Sequence, residues 1–143
     1  MNKLILYHYS NTDIKGYIKP DFYGLNSYTG FSIYKSAIKR SYFYLNDKPP
    51  EKIFTCSKFL YTAEVLQDKI YNIIEDKLNL QENLNTFTDI LQEVKKRGYI
   101  GILGNVNGKY NTVSLFKPIK IKTKINLTKG FNCVILSIEV KRS

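Results

Sequence analysis

The chain has 143 residues, 43% of them hydrophobic and 24% charged, and a formal net charge of +10. That length fits one domain around one core, and that balance of apolar and charged residues excludes a largely disordered chain. No apolar run approaches the ~20 residues that span a bilayer, and residues 4–7 are too short for a signal-peptide core, so neither a membrane protein nor a secreted precursor is expected.

Residues 4–7 (Leu-Ile-Leu-Tyr) form a short apolar run of β-formers, a first strand ending at His8 and Ser10. Gly16, Pro20, Gly24 and Gly30 then break the chain into turns over residues 11–30. Ser32 caps a short helix reaching Arg40, in which Ile33, Ala37 and Ile38 recur at helical spacing. Residues 42–45 read as a strand stopped by Asp47-Lys-Pro-Pro, and residues 59–66 as another. Residues 68–80 fit helix and strand equally well.

The best helix lies over 83–97, where Leu84, Phe87, Ile90, Leu91 and Val94 make one apolar stripe. Lys95, Lys96 and Arg97 suit its C-terminal dipole, and Gly98 suits a left-handed cap. Strands over 99–103 and 112–116 flank a turn at 105–108, residues 120–125 alternate Lys with Ile or Thr, and 134–140 close the series. About six mostly antiparallel strands and two helices make a single α+β domain over residues 1–143.

The charge is unevenly placed. Residues 1–94 carry eleven basic and eleven acidic side chains, whereas 95–143 carry eleven basic ones and only Glu139. Lys117, Lys120, Lys122, Lys124 and Lys129 fall in that last third without an acid between them, and the strand period puts Lys120, Lys122 and Lys124 on one outward face. Such a face attracts nucleic acid, a dinucleotide or an acidic protein. The competing reading is a lysine-rich composition with no specific partner. Cys56 and Cys133 have no metal or disulfide spacing and read as free thiols in a reducing compartment.

His8 is the single histidine, and Ser10, two residues on in a strand, shares its face. With no second histidine and no nearby carboxylate, zinc chemistry and a serine-protease triad lack their parts. Twelve tyrosines and eight phenylalanines stand beside no tryptophan. Tyr23, Tyr28, Tyr42 and Tyr44 share the half that holds His8, and rings of this kind either stack on flat heterocycles or pack as half-buried strand residues.

The order of these pieces resembles the ADP-ribosyltransferase fold, in its poly-ADP-ribose-polymerase and diphtheria-toxin branch. A strand Leu-Tyr-His-Tyr-Ser leads to Tyr23-Gly-Leu-Asn-Ser-Tyr28-Thr, a short helix, and a strand opening at Tyr42. Gly-Tyr-Ile-Gly101, a turn, a strand and Phe116-Lys-Pro118 are similar to the family's late strand pair before its x-Pro element. His-Tyr-Ser with Tyr-Gly-x-Asn-x-Tyr-Thr also resembles small phage and prophage proteins of this type.

The resemblance covers residues 4–121 and implies that His8, Ser10, Tyr28 and Tyr42 bind NAD, with a tyrosine stacked on nicotinamide. It implies transfer of ADP-ribose to a host protein or nucleic acid, in the host cytoplasm or in a virion. The chain departs from the pattern twice. Tyr9 replaces the glycine after the histidine, and Thr112 occupies the place of the catalytic glutamate, whose charge stabilises the oxocarbenium-like state as nicotinamide leaves. Glu64 and Glu139 lie on other strands. Three readings stay open: such a transferase-like protein; the same fold without catalysis, docking through Lys117, Lys120, Lys122 and Lys124 onto nucleic acid, an acidic protein or virion components; and an unrelated nucleic-acid-binding domain.

Overall fold

A computed structural model describes residues 2–20, 38–45, 57–106 and 108–127. Strand β1 (Lys3–Ser10) is the expected first strand, begun one residue earlier and ending at Ser10. It pairs along its whole length with β4 (Phe59–Leu66), from Lys3 opposite Leu66 to Ser10 opposite Phe59. On its other side it meets β3 (Ser41–Tyr44), with Tyr7 opposite Tyr44. β6 (Gly101–Val106) and β7 (Tyr110–Leu115) form a hairpin, and β7 runs beside β3. β5 (Ile70–Asn72) and β9 (Thr123–Asn126) complete a seven-stranded sheet in the order β5-β6-β7-β3-β1-β4-β9. Every neighbouring pair in it is antiparallel except β5 and β6, which are parallel. β2 (Tyr17–Ile18) and β8 (Ile119–Lys120) form a separate two-stranded sheet.

The architecture is α+β, with more strands than expected and a mixed sheet. The strand read over 120–125 does not run through. Ile121 N–H donates to the Gly16 carbonyl and Lys122 N–H to the Thr62 carbonyl, so the chain passes from the small sheet to the large one at that point. Residues 32–37 of the helix expected from Ser32 to Arg40, and the strand over 134–140, lie outside the described residues. Residues 38 and 39, at the end of that expected helix, are not helical, and Arg40 forms a β-bridge.

Two short helices occupy the 80–97 region. α1 spans Leu80–Asn83, and α2 spans Phe87–Lys96. The helix read as starting at 83 starts later because Leu84 is extended and Thr86 caps α2, its hydroxyl accepting the Asp89 N–H at 3.1 Å. At the other end Gly98, at φ +94°, donates to the Lys95 carbonyl, and Tyr99 donates to that of Val94. This paired closure needs a left-handed residue and satisfies two carbonyls the helix would otherwise orphan. Thr86→Ala removes the N-terminal cap and is expected to cost about 1 kcal/mol in thermal or urea unfolding, with Thr86→Ser near the unmodified value.

Strand alternation sorts the core onto two faces. One face carries Leu6, Phe43, Tyr61, Ala63, Val113 and Leu115, closed over by Ile18 and Ile119 from the small sheet. On the other face α2 lays Ile90, Leu91 and Val94 over Tyr71 and Ile102. Beside it, over the middle strands, Tyr9, Tyr44 and Leu60 pack with Tyr7, Tyr42 and Tyr110. Among the described residues no helix is long and apolar enough to cross a membrane.

Candidate functional site

His8 stands on the phenylalanine side of β1. Its ring lies 5.3 Å from that of Phe43 and 6.3 Å from that of Tyr61, centroid to centroid, and it is 7% exposed. The Nδ1 atom lies 2.7 Å from the Tyr42 carbonyl oxygen. A carbonyl only accepts, so Nδ1 carries the proton and the neutral ring keeps its acceptor lone pair at Nε2. Burial pushes the His8 pKa below 6.5, and the bond to Tyr42 opposes that shift without overturning it.

The sign of the pH effect follows. Between the folded value and 6.5 the unfolded chain binds more protons, so stability due to neutral His8 is complete above 6.5 and is lost as pH falls below it. His8→Gln is expected to flatten this part of the stability profile when urea unfolding is followed from about pH 7.5 to 5. Equal slopes for the two proteins would contradict the assignment.

A cavity of about 450 Å³ opens beside His8 and Ser10. Its walls include Thr12, Ile14 and Ile18 from the segment after β1, and Ser41 from β3. The turn out of β1 is built locally: the Ser10 hydroxyl accepts the Thr12 N–H at 3.0 Å. Tyr61, fully buried, holds the next part of the wall. Its hydroxyl donates to the Thr12 carbonyl and accepts the Ile14 N–H, both at 2.7 Å. Lys15, Lys19 and Arg40 also line the space, and no carboxylate of the described residues does.

The sheet separates the expected site residues. His8 and Ser10 share one face and one cavity. Tyr42, expected to join them, points its ring to the opposite face, 5.6 Å from Tyr44 and edge-on to it. Thr112 lies on that side too: it is buried, paired in register with Tyr44, and its hydroxyl donates to that of Tyr42. Burial raises the Tyr42 pKa despite that bond. On β7 the residue that joins the His8 face is Val113, opposite Phe43, so a glutamate at 112 would stand across the sheet from His8. Tyr9 packs against Tyr44 at 6.4 Å and so does not narrow the His8 cavity.

Glu64 pairs with Lys122 and Lys3, which hold its carboxyl below the usual range. Tyr23, Tyr28, Cys56, Cys133 and Glu139 lie outside the described residues.

The lysine face is also rearranged. Lys117, Lys120, Lys122 and Lys124 are exposed at residue level, but Lys122 pairs with Glu64 and Lys124 with Asp13. Lys120 sits on β8 of the small sheet and Lys124 on β9 of the large one, so the break at 121–122 divides the expected stripe. Acids from the first two-thirds of the chain thus neutralise part of the basic last third. Arg40, Ser41, Lys15 and Lys19 were not among the expected site residues. The signal for Ser41 is the strand alternation that puts it on the same side of β3 as Phe43.

The chain matches no protein-family model, no curated protein and no solved structure.

Proposed function

We propose that this chain is an ADP-ribosyltransferase-like protein that binds NAD or a related nucleotide in the His8 cavity and turns it over weakly or not at all. The observation that carries the reading is that His8 and Ser10, the histidine and serine of the resemblance, together line one cavity of ligand size. The sheet order supports it further. The strand with His8, the strand with Tyr42 and the strand with Thr112 are consecutive neighbours, β1-β3-β7, and the β6–β7 hairpin leads directly into Phe116-Lys117-Pro118.

In such a site neutral His8 would accept a hydrogen bond from a ribose hydroxyl through Nε2, and Phe43 and Tyr61 would hold the imidazole in place. Departure of nicotinamide leaves positive charge on the ribose, which a preorganised carboxylate stabilises. Thr112 brings no such charge and serves instead as a partner of the Tyr42 hydroxyl. That pairing favours the second reading, in which the fold is kept as a binding or virion protein of a phage. Exposed Lys117 and Lys120 would then contribute to docking on nucleic acid or an acidic protein.

Calorimetric titration with NAD tests the proposal. Binding by the unmodified chain is expected, with at least a tenfold loss in His8→Ala and NAD consumption near background in both. Equal affinity in the two proteins would remove the reading.

A further inference from the structure

The large sheet ends on β9, and among the described residues no strand pairs with its outer edge. An unpaired edge strand is a template for another strand unless something blunts it. β9 contains no proline, and Thr123–Asn126 are all exposed, Ile125 by 47%. Leu127 N–H donates to the Lys58 carbonyl, continuing the register that sets Asn126 opposite Phe59. Antiparallel alternation then turns the backbone groups of Thr123 and Ile125 toward β4 and directs those of Lys124 and Asn126 outward. Lysine commonly guards such an edge through its charge. Here Lys124 folds back onto its own sheet, where it pairs with Asp13 and its Nζ lies 4.7 Å from the centre of the Phe59 ring. Lys122, just before the strand, is held by Glu64.

We propose that β9 is a self-association edge, which pairs with β9 of a second copy of this chain, antiparallel across a two-fold axis at Ile125. In that register Lys124 of each copy stands opposite Asn126 of the other, and their outward N–H and C=O groups exchange both hydrogen bonds of each pair. The two Ile125 side chains become cross-strand neighbours, which covers apolar surface that the single chain leaves in water. No lysine faces a lysine. Centring the axis on Lys124 instead would set the two ammonium side chains directly opposite each other, a destabilising arrangement. The register at Ile125 is therefore the self-complementary one, and it joins the two large sheets into one. No residue of β9 lines the His8 cavity, so the inference stands apart from the nucleotide reading.

Light scattering over a concentration series, together with oxidative cross-linking, tests the proposal. The unmodified chain is expected to approach twice its 16.6 kDa mass as concentration rises. Ile125→Lys sets like charges opposite each other and is expected to weaken association about tenfold or more. Its unfolding curve should match that of the unmodified chain, because the side chain is already half exposed. In the proposed register the two Ile125 Cα atoms stand about 4.5 Å apart, within the span that a disulfide bridges. Mild oxidation should therefore link Ile125→Cys into a dimer well above the background set by Cys56 and Cys133 in the unmodified chain. Lys124→Cys, which would stand opposite Asn126 rather than itself, should stay at that background. A chain that is monomeric at every concentration up to about 1 mM would overturn the proposal. So would a dimer that Ile125→Lys leaves undiminished, or one in which Ile125→Cys links no faster than Lys124→Cys.

Discussion

Gly101→Ala is expected to destabilise the protein by about 3 kcal/mol, near the upper end of what overpacking in a core costs. A Cβ built at Gly101 would lie 2.3 Å from the Ser114 carbonyl oxygen and 2.7 Å from Leu115 Cδ2. The first of these is backbone of the adjoining strand β7, so relief requires moving the β6–β7 pairing rather than turning a side chain. For a chain of 143 residues the loss corresponds to a fall of about 10 °C in the thermal midpoint. Gly104, on the same strand, is the control: its added Cβ would meet Ile73 Cγ2 at 3.5 Å, an ordinary contact. Gly104→Ala should therefore stay within about 0.5 kcal/mol of the unmodified protein. Similar midpoints for the two variants would mean that the β6–β7 register is wrong.

Tyr61→Phe is expected to change both stability and binding. Losing the hydroxyl strands the Ile14 N–H and the Thr12 carbonyl, which it holds at 2.7 Å each, for a cost of about 1–2 kcal/mol. Those two residues belong to the cavity wall, so NAD affinity should fall severalfold although Tyr61 itself is fully buried and lies behind the wall. The ring contact with His8 survives the substitution, which isolates the wall as the cause. An affinity unchanged in the presence of a clear stability loss would show that the 12–14 segment does not shape the ligand site.

Much of the fold is legible from local patterns. Residues 59–66 alternate buried and partly exposed side chains as a strand covered more fully on one side, and the Ile90, Leu91, Val94 stripe with Gly98 behind it marks α2 and its end. Two features are not legible, for one reason. The break between β8 and β9 comes from backbone partners in distant strands, Gly16 and Thr62, and the lysine-isoleucine alternation through it carries no trace of that exchange. The side of the sheet taken by Tyr42 depends on the register that sets Tyr7 opposite Tyr44, a pairing across 37 positions that local spacing does not specify.

For the site, spacing alone places His8 with Ser10, because two residues in one strand share a face. It does not reach Ser41, because the polar residues before Tyr42 carry no local sign that β3 opens at Ser41. The ion pairs of Lys122 and Lys124 join residues 58 and 111 positions apart, which is why a run of lysines looked unopposed.

The most direct test of the account is a crystal structure of the unmodified chain soaked with NAD. The account predicts ligand density in the cavity bounded by His8, Ser10 and Ser41, on the Phe43 and Tyr61 side of the sheet. Density on the opposite face, among Tyr42, Tyr44 and Thr112, or an unoccupied His8 cavity at saturating NAD, would contradict it.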